Sequence, residues 1–242
     1  MRFFILIQIF SLFSILFSSN FVKIETTPIK FFIEDVDSET VTFNRNNQDL
    51  KVGETGIVVK QMKYENNSII SIVTISKIEN GLITAELSEF DGLKQESVPH
   101  GKWQPAKGDL LVFRLNYDRI MSISDSYENY RKTIKAISDP FLNLIHPDIL
   151  SATLYSRGDK IPTKKGIQDV CRTHNIGLIT ISIQDKLFIN DCQSFKNLYV
   201  FDLDFDEVQT KIEPFYNRLE LYKKSFENNS YDKFYLELFD LN

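Results

Sequence analysis

The 242-residue sequence contains few of the residues from which catalytic and cofactor sites are usually built. It has 2 cysteines, 3 histidines and 9 glycines. The histidines, His100, His146 and His174, do not follow a zinc-ligand spacing such as H-x-x-x-H or H-E-x-x-H. The sequence has no P-loop, G-x-G-x-x-G or G-x-S-x-G motif, and so few glycines leave little room for a phosphate-binding loop. We therefore predict a protein without a cofactor, without a metal site and without enzymatic activity.

Clustered positive charge is also missing. The sequence has 28 Lys and Arg against 33 Asp and Glu, for a formal net charge of -5, and no run of basic residues. Affinity for a nucleic acid comes mainly from such clusters, so a nucleic-acid partner is excluded. The 20 Phe and 10 Tyr indicate a packed globular protein, because a disordered chain is poor in aromatic residues.

The first 19 residues have the pattern of a secretory signal peptide. Arg2 precedes an apolar run over residues 3–17, and the small residues Ser18 and Ser19 close the segment. Phe17 is bulky for its place three residues before the new terminus, so retention of the segment as a membrane anchor stays open. The run is nevertheless shorter than the roughly 20 residues of a spanning helix. A lipoprotein would have a Cys near the end of this segment, and none is there. We predict export to the periplasm.

The two cysteines, Cys171 and Cys192, both lie in the second half of the sequence. In an oxidising compartment the simplest interpretation is one intramolecular disulfide. The alternative is two buried free thiols, because an unpaired cysteine packs as a small hydrophobic residue.

The pattern of residues 20–125 predicts a small all-β barrel or sandwich. Short β-branched runs follow one another closely without an intervening helix. The clearest signal is Asn80-Gly81 between the runs at 69–78 and 82–87, which is typical of a hairpin turn.

The pattern of residues 126–242 predicts an α+β domain, so that the whole chain is α+β with two domains. The predicted elements are helices at 126–137, 147–155 and 162–173, a hairpin at 178–189, a strand at 197–205, a helix from 214 to 226, and a final piece at 231–241 that fits a helix or a strand.

One acidic segment resembles a calcium-binding loop of the EF-hand type. Asp202, Asp204, Asp206 and Glu213 occupy its positions 1, 3, 5 and 12. Glu207, however, stands where the loop needs glycine, and apolar residues alternate with the acids as on a strand with one solvated face. We favour the edge of a strand over a calcium site.

The single tryptophan, Trp103, lies in an irregular stretch at 99–105 between two prolines. An exposed tryptophan can anchor an interface. Packing into the core is the interpretation that we favour.

Several stretches of the sequence resemble a known family, the N-terminal domains of the plasminogen-binding protein PgbA. The stretches are KVGETGIVV at 51–59, KGD at 107–109 continuing to NYDR at 116–119, HPD at 146–148 continuing to IGL at 176–178, DKLFI at 185–189, and SFK at 194–196. They are turns and strands, not catalytic motifs. The family belongs to curved, flagellated Gram-negative bacteria.

The resemblance implies binding, not catalysis. Family members named for plasminogen binding carry a lysine-rich tail after this domain, and kringle modules capture a C-terminal lysine through its ammonium and carboxylate together. This sequence stops at Asn242 without such a tail, so the feature that would be captured by a kringle is missing and the resemblance does not by itself predict plasminogen binding.

We therefore predict a non-enzymatic periplasmic binding or scaffold protein of the cell envelope. The most specific function that we predict is that of an accessory structural component of the periplasmic scaffold around the flagellar motor. Its predicted partners are other periplasmic or envelope proteins, with membrane contact only if the leader is retained. The alternative is a surface-exposed protein that binds plasminogen.

Overall fold

The alternating apolar residues of the first half form seven antiparallel strands. The computed structural model describes residues 22–62, 66–90, 92, 103–137, 139–159, 161–205, 212, 214–219 and 230–241. The seven strands are β1 (Ile29–Phe32), β2 (Asp35–Val36), β3 (Thr40–Asn44), β4 (Thr55–Gln61), β5 (Asn67–Glu79), β6 (Leu82–Glu89) and β7 (Leu110–Phe113). The predicted hairpin is confirmed: Asn80 and Gly81, with φ of 49° and 84°, connect β5 to β6 in the left-handed conformation of a tight turn.

The first sheet curls into a half-barrel. Its strand order is β1-β7-β4-β5-β6-β3-β2, so the two outermost strands are consecutive in the chain. Between them, Ile33 N donates to Asp109 O at 3.0 Å and Glu34 N donates to Thr42 O at 2.9 Å. One bent stretch, residues 29–36, therefore hydrogen-bonds to both ends of the sheet.

Three phenylalanines fill the inside of the half-barrel. The ring centroid of Phe43 lies 4.8 Å from that of Phe31 and 5.4 Å from that of Phe113, and all three side chains are buried. Burying each ring contributes roughly 1.5–3 kcal/mol. The rings come from β1, β3 and β7, so they join the two outer parts of the sheet.

The second half of the chain forms a mixed five-stranded sheet. Its strands are β8 (Arg119–Ile123), β9 (Asn143–Ile145), β10 (Leu178–Ile183), β11 (Lys186–Asp191) and β12 (Asn197–Asp202), in the order β12-β11-β10-β8-β9. β8 is parallel to β9 and β10, whereas β10, β11 and β12 pair antiparallel. With the helices below, this confirms the predicted α+β class.

Four helices accompany this sheet: α1 (Tyr127–Ala136), α2 (Asp148–Arg157), α3 (Lys164–Thr173) and α4 (Tyr231–Leu238). α1 begins after Ser126 and α3 after Thr163, and each of these side chains accepts a hydrogen bond from a backbone N–H of the first turn. None of the four helices, which are those of the described residues, is long and apolar enough to cross a bilayer.

Hydrophobic cores lie on both faces of the second sheet. One face packs against α2, α3 and α4 through Met121, Ile123, Ile179, Ile181, Leu154, Ile167 and Tyr235. The other packs against the end of α1 and the N-terminal stretch through Ile120, Leu178, Leu187, Ile189, Ile137, Val22 and Ile24. The N-terminal residues thus contribute to the core of the second sheet before the chain enters the first.

The chain passes from the first sheet to the second between Phe113 and Arg119. This change lies before the predicted boundary at 125/126, because β8 pairs with β9 and β10. The division into two independent domains stays a prediction.

The helix predicted from 214 to 226 does not begin at Pro214. Residues 214–219 follow an irregular path, because their amides bond to the second sheet and its helices. Tyr216 N donates to Ser124 O at 2.7 Å, and Arg218 N donates to Asp148 Oδ1 at 2.8 Å. Residues 220–226 lie outside the described part of the chain.

Cys171 of α3 and Cys192, directly after β11, are joined by a disulfide. Their Cα atoms are 6.1 Å apart, and both side chains are buried. The bond closes a loop with a sequence separation of 21 and ties α3 to the end of β11.

Replacing both cysteines by alanine is expected to lower the free energy of unfolding by about 3 kcal/mol, because the unfolded chain loses a cross-link. Urea unfolding of the double variant and of the native protein, with and without reductant, measures the difference. Thiol labelling of the denatured, unreduced protein checks the pairing, and two reactive thiols per chain would contradict it.

Candidate functional site

A buried carboxylate joins the two sheets. Asp191 Oδ2, at the end of β11, accepts hydrogen bonds from Tyr117 Oη at 2.6 Å, Thr55 Oγ1 at 2.6 Å and Thr55 N at 3.1 Å. Asp191 Oδ1 accepts from the amides of Gln193 and Ser194, both at 2.8 Å. Asp191 is fully buried, so its charge is stabilised by these five donors in place of water.

The turn after Asp191 makes a second contact with the first sheet. Ser194 Oγ donates to Gly53 O at 2.6 Å. Gly53 has φ +94°, and a Cβ atom at this position would lie 2.2 Å from Lys196 Cβ. Only glycine allows both this backbone conformation and this close approach.

A buried ion pair lies beside the junction. Arg114 Nε and Nη2 donate to the two carboxylate oxygens of Glu54 at 2.9 and 2.8 Å, and Arg114 Nη2 also donates to Asp49 O. Burial raises the pKa of Glu54, against the opposing effect of Arg114. Burial lowers the pKa of Arg114, but Glu54 outweighs this effect and the pKa is raised. Removing either partner would leave a buried charge uncompensated.

Tyr117 occupies the centre of the junction as a neutral donor. Burial raises the pKa of its phenol well above the usual range, and the carboxylates of Asp191 and Glu54 raise it further. The phenol therefore keeps its proton at physiological pH and donates a hydrogen bond to Asp191.

A cleft of about 220 Å³ opens at the same junction. Its lining includes the apolar residues Ile57, Ile72 and Leu115, which come from the first sheet and the residues after it. It also includes the polar residues Arg172, Asn175 and Gln193, which come from the end of α3, the residues after it and the turn after β11. Binding sites often lie between such units.

A second polar cluster lies at the end of β9. Asp148 N donates to His146 Nδ1 at 3.2 Å, and Arg218 Nε donates to Asp148 Oδ2 at 2.7 Å. The rings of Tyr130 and Tyr216 lie 5.2 and 5.9 Å from that of His146. Burial lowers the pKa of His146; the charge of Asp148 opposes this shift and that of Arg218 adds to it.

Only some of the candidate metal ligands from the sequence lie in the described part of the chain. Within the described residues no group of three or more potential metal ligands occurs. His146 and His174 end different elements, and His100 lies outside the described residues. Asp202 and Asp204 are exposed while Leu203 and Phe205 pack against the core, which fits the favoured strand edge. Asp206 and Glu213 lie outside the described residues.

The prediction that the side chain of Trp103 packs into the core is wrong. Its side chain is 52% exposed, and Lys60 Nζ of β4 donates to the carbonyl of the next residue, Gln104.

Sequence reasoning missed the residues of the junction. Gly53, Glu54, Thr55 and Tyr117 lie inside stretches that carry the family resemblance, although those stretches were interpreted as turns and strands. Asp191 had no such signal, since it is a single acid at the end of an apolar strand.

Asp191→Asn is expected to lower the free energy of unfolding by about 3 kcal/mol, because an amide cannot accept from all five donors. Asp202→Asn is the matched control, since Asp202 is an exposed acid at the end of the neighbouring strand. Its expected change is within about 0.5 kcal/mol. Urea unfolding measures both, and equal small effects would contradict the role given to Asp191.

The stability of the protein is expected to fall as the pH drops below about 6.5, the usual pKa of histidine. Because the folded-state pKa of His146 is lowered, its contribution is complete above the unfolded pKa and is lost as the pH falls through the folded pKa. His146→Asn keeps an acceptor for Asp148 N and does not titrate. Urea unfolding at pH 5–8 should show a smaller acid-side loss in this variant; an unchanged loss would contradict the assignment.

Comparison with known proteins supports the family resemblance. A family model described as plasminogen-binding protein pgbA N-terminal matches residues 28–239. Two relatives, both the plasminogen-binding protein PgbA of Helicobacter pylori (strains J99 and 26695), are 32% and 31% identical to this chain over 194 residues. These matches cover 80% of the chain but only 42% and 41% of the relatives, so the chain spans about two fifths of their length. The chain therefore belongs to the family of PgbA N-terminal domains.

Proposed function

We propose that this chain is a non-catalytic binding module that binds plasminogen at the bacterial surface. The observation that supports the proposal is the family match over residues 28–239, together with the name of the two relatives. The match covers less than half of those relatives. We place plasminogen binding in the part that this chain shares with them.

The surface of the chain offers a chemical basis for this binding. Kringle modules recognise an ammonium and a carboxylate together. Several exposed lysine–carboxylate pairs present both groups, two of them in the first half of the chain. Lys77 Nζ lies 2.8 Å from Glu79 Oε2, with the side chains 59% and 62% exposed, and Lys23 Nζ lies 2.9 Å from Glu25 Oε1. Exposed pairs of this kind are held by less than about 1 kcal/mol, so a partner can separate them at little cost.

The Lys77–Glu79 pair is the better presented of the two. It lies at the end of β5, next to the turn Asn80-Gly81, where the hairpin of β5 and β6 reverses. A kringle could approach this turn from outside the half-barrel, and the exposed side chain of Leu82 offers an apolar contact beside the charges.

The full chain is expected to bind immobilised plasminogen, and 6-aminohexanoic acid should abolish the binding by occupying the kringles. Lys77→Ala should weaken the affinity roughly fivefold, the effect of losing about 1 kcal/mol. Lys135→Ala, which removes an exposed lysine of α1, is the matched control and should leave the affinity unchanged. Surface plasmon resonance measures all three. Absence of binding, or binding insensitive to the analogue, would contradict the proposal.

A periplasmic scaffold protein is the second candidate, with an accessory place around the flagellar motor as its specific form. The signal-peptide pattern of residues 1–19, which predicts a periplasmic location, favours this candidate. Protease added to intact cells separates the candidates, because cleavage of the chain requires surface exposure. Protection would contradict surface display, and normal swimming of a deletion strain would contradict the motor role.

A further inference from the structure

We propose that α4 is a latch for the junction between the two sheets. The residue that follows it, Phe239, holds the turn at residues 191–196 (the junction turn) in shape, and this turn carries the contacts that join the sheets. When α4 leaves its place, the junction loosens. The proposal does not depend on plasminogen binding.

Phe195 of the junction turn has an unfavourable backbone conformation. Its φ is +62°, in the left-handed region that a residue with a Cβ atom rarely adopts. Its side chain is buried. A bulky residue keeps such a conformation only where the surrounding structure fixes it. The contacts of the Phe195 ring are therefore needed to hold the turn in this shape.

The ring of Phe195 stacks on the ring of Phe239. The two centroids are 4.5 Å apart, the planes differ by 17°, and both side chains are buried. Stacked aromatic rings at this separation attract each other beyond the effect of burying their surface. Loss of the Phe239 ring would thus remove the support for the left-handed conformation of Phe195.

The same aromatic face docks α4 onto the second sheet. Tyr231, Tyr235 and Phe239 follow one another at intervals of four residues, so they lie on one side of the helix, and all three are buried. Tyr235 Oη also donates to Pro214 O at 2.9 Å. The face that fixes α4 in the core therefore ends at the ring that holds the junction turn.

The junction turn passes this constraint on to the first sheet. Phe195 N donates to Asp191 O, and Asp191 N donates to Lys196 O, both at 3.0 Å. Between them, Ser194 N donates to Asp191 Oδ1 at 2.8 Å, and Ser194 Oγ donates to Gly53 O at 2.6 Å. A change in φ at Phe195 would shift Ser194 relative to Lys196 and disturb both contacts of Ser194.

This link gives α4 a regulatory place in the fold. A partner that holds α4 in its docked position would also hold the two sheets in one arrangement, and a partner that displaces α4 would loosen them. By linkage, the effect is reciprocal. Gln193 of the junction turn also lines the cleft, so displacement of α4 would change this part of its lining.

Amide hydrogen exchange of the full chain, followed by NMR, tests the link. The reporter is the amide of Thr55, which belongs to the first sheet and donates to Asp191 Oδ2. The reference is the amide of Val73, a buried residue of β5 in the same sheet. The measured quantity is the ratio of the exchange rate of Thr55 to that of Val73.

Phe239→Ala is expected to raise this ratio about tenfold, which corresponds to about 1.4 kcal/mol, because the junction opens while the half-barrel stays folded. Leu154→Ala is the matched control, since it removes a buried side chain of α2 from the same core. It should leave the ratio unchanged, because global destabilisation accelerates the exchange of both amides.

Two further variants separate the latch from a general loss of stability. Phe239→Leu keeps an apolar side chain without the ring and should raise the ratio by a smaller factor. Phe195→Gly should uncouple the turn, because glycine adopts the left-handed conformation without support, so that adding Phe239→Ala leaves the ratio unchanged. Circular dichroism verifies that each variant folds. An unchanged ratio in the folded Phe239 variants, or an equal increase in the Phe195→Gly background, overturns the proposal.

Discussion

The relative position of the two sheets depends on the carboxylate of Asp191. Hydrophobic contacts hold each sheet to its own helices or rings, but they are not directional and tolerate small shifts. The hydrogen bonds to Asp191 are directional: two of the five come from Thr55 of the first sheet, and a third comes from Tyr117 in the connection between the sheets. A buried charge that loses such donors is costly, so the arrangement that satisfies all of them is strongly preferred.

Other features of the molecule are consistent with this constraint. The turn after Asp191 also brings Ser194 to Gly53, and the disulfide fixes Cys192, the next residue, to α3. Glu54, which pairs with Arg114, directly precedes Thr55 in the chain. The polar groups at the junction therefore hold the two sheets in one arrangement. This suits the proposed binding function, because a fixed surface limits the entropy lost on association.

Local features of the fold were predictable from the sequence, whereas its long-range polar contacts were not. The Asn80-Gly81 turn and the caps at Ser126 and Thr163 act within a few residues, so a short window of sequence contains both partners. Thr55 and Asp191 are 136 positions apart, and Glu54 and Arg114 are 60 apart. Nothing in the residues around Asp191 distinguishes it from a solvated acid such as Asp202. Pro214 is suited to the first turn of a helix, but the amide of Tyr216 bonds to Ser124, after β8, and that of Arg218 bonds to Asp148 of α2.

The bent stretch at residues 29–36 has a consequence for the order of folding. Ile29 pairs with Phe113, so β1 cannot form its native pairing until β7 has been synthesised. At a synthesis rate of about 5–20 residues per second, this partner emerges several seconds later. Until then the ring of Phe31 has only Phe43 of its two ring partners to pack against, and the loop that must close is long. The half-barrel therefore cannot complete its sheet until residue 113 has been synthesised.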